Sequence, residues 1–256
     1  DELLSVEMIS ASGDFLYERI QTIYSLLTDE KKIVIMNMHS AIRYVMNKDI
    51  WLNNFHKIEV NKSYNINELV DNLTKLGYVR VSQVTKTKEY SRRGSILDIF
   101  PLGYNNPIRL DFFGDDLETI KEFDTLTQRS INKINDFILL PVSELIYDKR
   151  DYEFARNNIM SFLDNFELSP IEDEMYKKDL FNLSEHESLE TLIRYIEFFD
   201  NTKTNIFDFS NNKRIYFIDF NKMKELYNKI LLDLDEYATR MSGYSLTKMN
   251  SFNNIN

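Results

Sequence analysis

Between Arg80 and Phe113 the basic residues Arg80, Lys86, Lys88, Arg92, Arg93 and Arg109 outnumber the acids Glu89, Asp98 and Asp111, in a chain of formal net charge -10. Planar guanidiniums form bidentate pairs with carboxylates. A local basic patch on an acidic protein therefore suits docking to an acidic partner surface. Alternation along Pro107–Phe113 puts Arg109, Asp111 and Phe113 on one strand face. On pattern alone the plainer reading is a solvated sheet face, with Phe113 in the core and Arg109 paired to Asp111 or Asp98. Two function classes stay open: a protein-docking adaptor and a DNA-contacting module. A phosphate-binding surface normally wants a basic excess, and the acidic balance counts against non-specific DNA binding.

The other reactive residue types form no set. No Gly-x-x-x-x-Gly-Lys-Ser/Thr occurs, and the six glycines make no Gly-x-Gly-x-x-Gly, so no phosphate-cradling loop is expected. His39, His56 and His186 are scattered, and the absence of cysteine excludes disulfides and thiolate metal sites. Asp115-Asp116, and Asp233 with Asp235-Glu236, fall in a polar turn or on a helix face, not in an apolar pocket that would raise a pKa. Glu172-Asp173-Glu174 reads as an exposed helix start. No catalytic residue, cofactor or metal is expected.

The elements that must carry the arginines are strands. Ser95–Phe100 is one run, closed by Pro101-Leu102-Gly103; Pro107–Phe113 is the next, closed by Gly114-Asp115-Asp116. Leu117–Phe123 is a third, with Leu117, Thr119 and Phe123 on one side. With Tyr78–Val81 they predict an antiparallel meander of about four strands. Asn67 can cap a helix with Leu69-Val70, Leu73 and Leu76 on one face and Gly77 as its stop.

Before this segment the pattern is α/β: a helix with Leu4, Met8, Phe15, Ile20, Ile23 and Leu26-Leu27, a buried strand Ile33–Met36, a short helix capped by Ser40, and a strand Phe55–Val60. After Pro141 it turns helical: a short helix from Ser143, then Asp151–Phe166, Glu172–Phe181, Ser188–Phe198 and Asn221–Arg240. Strands are expected at Ile206–Phe209 and Arg214–Ile218, returning to the first sheet. The expected fold class is α/β, with residues 1–62 and 141–256 as two halves of one domain. Residues 63–140 form an inserted α+β antiparallel-sheet subdomain. No apolar run approaches the roughly 18 residues of a membrane helix. The opening Asp1-Glu2 has no basic and apolar leader, and with no cysteine a reducing cytoplasm is expected.

The segment from Glu89 to Ser130 also carries a resemblance. Its Glu-Tyr-x-x-Arg-Gly-x-Ile-Leu-Asp-Ile-Phe-Pro is followed by Pro-Ile-Arg-Leu-Asp-Phe-Phe-Gly-Asp, Glu-Phe-Asp and Thr-Gln-Arg-Ser. This resembles bacterial transcription-repair coupling factors, in the amino-terminal module that they share with the excision-repair protein UvrB. A weaker likeness continues upstream to Asp1 and downstream through Leu140–Glu144. The resemblance implies a degenerate helicase-like α/β domain that has lost its nucleotide site, with ATP used by a motor far downstream. It implies a non-catalytic fragment that begins after the family's first strand and helix and recruits UvrA. The implied UvrA contacts are Arg93 before the Gly, Arg109 in Pro-x-Arg-Leu-Asp, and Phe113, the second Phe of the pair. RNA polymerase and DNA would be met only through absent regions, and the module would pack on the absent motor and C-terminal regions. Lys88 stands where the family often has Gly, which puts the hairpin leading to Arg93 in question. No aromatic-rich insertion matches UvrB's damage-probing hairpin, so lesion recognition is not expected.

Overall fold

The computed structural model describes residues 13–28, 33–42, 44–187, 189, 192–199, 204–209 and 214–240. Asn65 starts the helix that covers the main sheet: its side chain accepts from the backbone N–H groups of Asn67 and Glu68, so the cap lies two residues before the expected Asn67. Helix α4 (Ile66–Lys75) buries Ile66, Leu69 and Leu73 in one continuous core with Leu97, Ile99, Ile108, Leu110 and Ile120. Gly77, at φ 89°, stops it as expected.

The sheet that α4 covers has six strands in the order β3-β4-β5-β6-β7-β8. They are β3 (Val79–Arg80), β4 (Glu89–Arg93), β5 (Ile96–Ile99), β6 (Ile108–Phe113), β7 (Asp116–Phe123) and β8 (Ser130–Ile134). The expected runs become β3, β5, β6 and β7, while β4 lies between β3 and β5 and β8 extends the sheet beyond β7. One pairing is not antiparallel: β3 lies parallel to β4, with Val79 opposite Glu89. Residues 81–88 make that return possible, because the Glu89 carboxylate accepts the backbone N–H groups of Thr85 and Lys86.

Lys88 closes this loop at φ 71°, a left-handed conformation that L side chains adopt only at a cost. The lysine thus occupies a conformation that favours glycine, and the β4–β5 hairpin still forms. Lys88→Gly is expected to raise stability by about 0.5–1 kcal/mol, the relieved strain exceeding the added unfolded-state entropy. Urea unfolding of the two proteins checks this.

A bulge between Asp111 and Phe112 corrects the expected side assignment in β7. Phe112 opposes Leu117 while Asp111 opposes Thr119, so the strand gains one residue. Leu117 and Ile120 both enter the α4-side core. Thr119 instead faces Asp111 on the other side, its hydroxyl donating to that carboxylate at 2.7 Å. Phe123 also leaves the main core and packs with Val84 and Phe100.

Around this sheet lie two two-stranded ladders and the remaining helices. Strand β2 (His56–Glu59) pairs antiparallel with β9 (Asp136–Leu139), and β1 (Tyr44–Val45) pairs antiparallel with β10 (Thr204–Asn205). Helices α1 (Gly13–Leu27) and α3 (Lys48–Asn53) place Ile20, Ile23 and the fully buried Trp51 in the same core. Asp148 and Ser169 make capping boxes for α5 (Lys149–Leu163) and α6 (Pro170–Ser184). Glu172 reaches back to the Ser169 N–H and is buried, not exposed as expected. Helix α7 (Phe220–Arg240) runs where the pattern put it. The fold is thus mixed α/β, dominated by antiparallel pairing.

Several expected elements differ. Residues 33–37 form no strand, and Ile33 and Ile35 are exposed, because no described strand offers this run a ladder partner. Helix α2 (Met38–Ala41) is capped by Asn37, not Ser40, and Val45 lies in β1. Ile206–Phe209 is a 3-10 turn; the returning strand is the two residues before it. Residues 214–217 form no strand among the described residues, and Tyr216 and Ile218 are exposed. Residues 142–144 form a bend in place of a short helix, with the Ser143 hydroxyl accepting the Leu145 N–H. Leu4, Met8 and Ser188 lie outside the described residues.

The buried polar groups give one pH dependence. His56 lies in β2 and His186 stacks on Tyr147 with ring centroids 4.4 Å apart. Burial pushes both imidazoles below the ordinary histidine range; Lys75 adds to the effect at His56, and Glu185 opposes it at His186. The unfolded chain takes these protons first, so their contribution is intact above about pH 6.5 and falls as pH drops below it. Melting temperature should decline between about pH 7.5 and pH 5.5, and a His56→Gln/His186→Asn variant should show a shallower slope there.

Candidate docking face

The second face of the main sheet is built by register. Arg93 opposes Ile96, Ile96 opposes Asp111 and Asp111 opposes Thr119, which forms one row across four strands. The next row holds Ser91, Asp98, Arg109 and Lys121. Phe113 stands two residues beyond Asp111 on the same face, next to the turn into β7. Arg92 points to the helix side, where its guanidinium donates to the Asn67 side chain at 2.5 Å.

Two glycines set the rim. Gly94 and Gly114 begin the β4–β5 and β6–β7 turns at φ 64° and 62°, and neither has a neighbour that a Cβ would meet. Both hairpins turn at the same end of the sheet, so Arg93 and Phe113 each sit at the last strand position before solvent. The opposite end is covered. The Ser91 hydroxyl donates to the Ser82 carbonyl at 3.0 Å, and the Gln128 amide bridges the carbonyls of Val84 and Thr125 at 3.2 and 2.8 Å.

Charges alternate across the face. Asp98, fully buried, receives the Arg109 Nε at 2.6 Å and Nη2 at 2.8 Å, a bidentate pair. It also receives Arg93 Nη2 at 2.6 Å. Arg109 Nη1 donates to the Gln128 carbonyl at 3.2 Å, and its guanidinium lies 4.5 Å from the Phe123 ring centroid. Lys121 Nζ lies 2.6 Å from Asp111. The bond to Asp98 holds the Arg109 guanidinium pKa above its ordinary value, against partial burial. Asp111 is held below the ordinary carboxylate range: burial pushes it up, but bonds from Lys121 and Thr119 outweigh that. The Asp111 contribution is therefore present above the unfolded carboxylate pKa of about 4 and is lost as pH falls further.

The three expected site residues end up on one face but in different states. Phe113 is 74% exposed, so it is not a core residue. The Arg93 side chain is 51% exposed and makes one ion pair among the described residues. The Arg109 side chain is only 16% exposed and is occupied internally. Asp98 and Lys121 complete the face and were not singled out as site residues from the sequence. Asp98 could have been: it is the acid at the same alternation step as two arginines on the flanking strands.

Among the described residues no group of His, Asp and Glu could hold a metal ion, and no helix is long and apolar enough to cross a membrane.

Comparison with known proteins finds a likeness over the segment that carries this face. Residues 57–147 match the UvrB interaction domain. Over 249 residues, 94% of this chain, it is 25% identical to the transcription-repair-coupling factor of Staphylococcus aureus strain bovine RF122 / ET3-1. The transcription-repair-coupling factor of S. aureus strain MRSA252 is also 25% identical over 249 residues, and that of S. epidermidis strain RP62A is 24% identical over 252. The likeness read from Glu89 to Ser130 thus extends along nearly the whole chain. The chain spans only 21% of the length of each of these relatives.

Proposed function

We propose that this chain is the amino-terminal, non-catalytic module of a transcription-repair coupling factor and that it recruits UvrA for nucleotide excision repair. Residues 63–140 are the inserted UvrA-docking subdomain, between two halves (1–62 and 141–256) of a degenerate helicase-like α/β domain. Arg93, Arg109 and Phe113 form the contact region. In this reading ATP is used by the motor of the longer protein, which also supplies the RNA polymerase and DNA contacts, and the protein works in the cytoplasm.

The observation that carries the reading is Phe113: a large aromatic, 74% exposed, on the same face and at the same end of the sheet as a half-exposed arginine, inside the region that matches the UvrB interaction domain. An exposed aromatic and a half-exposed guanidinium on one sheet face have the make-up of an interface hot spot. The net charge of -10 favours this over direct binding to DNA phosphates.

A pull-down of UvrA by this chain, run beside a DNA titration at increasing salt, tests the proposal. UvrA should be retained by the wild-type chain and lost on charge reversal at Arg93 with the fold intact. Tight, salt-sensitive DNA binding without UvrA retention would instead identify a DNA-contacting module.

A further inference from the structure

The docking reading above treats both arginines alike, and the geometry separates the two. Arg109 has both Nε and Nη2 on Asp98 and Nη1 on the Gln128 carbonyl, over the Phe123 ring. Its fork is filled from inside. Arg93 gives Asp98 only one Nη2 bond and keeps half of its side chain in solvent. Asp98 lies on β5, between the strands that carry the two arginines, with its side chain 1% exposed.

We propose that Asp98 is a positioning residue of this face: locked by Arg109, it holds the Arg93 guanidinium by one corner, so that the outer N–H groups of Arg93 donate to a carboxylate of the docking partner. This rests on the UvrA-docking reading. Arg109 then acts through Asp98 and not by touching the partner. An arginine tethered at one corner loses less side-chain freedom on binding than a free one, which favours affinity. Long-range electrostatics predicts the opposite sign. The face carries Arg93, Arg109 and Lys121 against Asp98 and Asp111. Neutralising Asp98 makes it more positive and, through field alone, more attractive to an acidic partner.

Titration of purified UvrA into the intact chain and its variants decides between them. Asp98→Asn is expected to weaken binding by about tenfold, the scale of one charge-assisted contact. In an Arg93→Ala background the same change should add nothing further, whereas in a Phe113→Ala background it should keep its full factor. A general loss of structure would lower binding equally in both backgrounds. Unchanged or tighter binding by Asp98→Asn, or an equal effect in both backgrounds, would overturn the proposal. If Asp98→Asn fails to fold, Asp98→Asn/Arg109→Gln replaces the ion pair with a neutral one and is expected to give the same result. A readout without UvrA comes from the NMR signal of the Arg93 guanidinium, which should lose its distinct position in Asp98→Asn; an unchanged signal sinks the tether. Wild-type chain that does not bind UvrA refutes the docking reading itself. Wild-type binding with an indifferent Asp98→Asn refutes only the positioning role.

Discussion

Phe113→Ala is expected to weaken UvrA binding by about a hundredfold while leaving the melting temperature within a degree or two of wild type. Aromatic anchors at interface centres typically contribute about 2–4 kcal/mol on truncation, and about 1.4 kcal/mol is a factor of ten. The fold should be indifferent, because a side chain 74% exposed has little packing to lose. Surface substitutions of that kind usually stay within about 0.5 kcal/mol. Charge reversal by Arg93→Glu should be as severe for binding, since it removes a donor and sets a carboxylate against an acidic partner. It should also place a second acid beside the buried Asp98, so a modest loss of stability is expected as well. Calorimetric titration with UvrA and a thermal melt of each variant measure both quantities. Phe113→Ala binding at wild-type affinity would remove the aromatic anchor from the docking face and leave the assignment without its carrying observation.

How far the sequence reveals this face depends on what each residue's neighbours are. The turn at Gly114 was legible because it follows one alternating run, precedes the next and takes the positive φ that a two-residue hairpin needs. That fixed the strand ends, and with them the shared face of Arg109, Asp111 and Phe113. The β4–β5 turn at Gly94 was not read, because β4 was not expected. The exposure of Phe113 was not legible. A Phe at the end of an apolar run satisfies the core pattern equally well, and only the place of α4 on the opposite face decides it. The Asp111/Phe112 bulge was hidden for a related reason: a bulge shifts register by one residue without changing composition, so Thr119 was set with Leu117. Ile33–Met36 and Arg214–Ile218 show another limit. Both have the apolar content of parallel-sheet strands, but a strand exists only where another backbone supplies hydrogen bonds, and the described residues supply none. Lys88 was the opposite case: the position takes φ 71°, and the β4–β5 hairpin still forms.

Arg109→Leu is expected to destabilise the chain by about 3 kcal/mol, far more than Arg93→Leu, although both residues pair with the same acid. The difference follows from desolvation. Asp98 is out of contact with water, and Arg109 gives it two of its three hydrogen bonds from a side chain only 16% exposed. Removing that guanidinium leaves a buried carboxylate held by one half-exposed arginine, and it forfeits the contact with the Phe123 ring. Removing Arg93 leaves the bidentate pair intact and a position that water can fill. If an uncompensated buried charge is the cause, replacing both partners should recover most of the loss. Asp98→Leu/Arg109→Leu is expected within about 1 kcal/mol of wild type, because an apolar pair of similar volume can substitute for a buried ion pair. Urea unfolding of the single and double variants measures the coupling directly. A double variant as unstable as Arg109→Leu alone would mean that the arginine stabilises the sheet through its packing on Phe123 and its bond to Gln128, with Asp98 a bystander. The same double variant should still fail to bind UvrA tightly, since the fold would be restored and the tether on Arg93 would not.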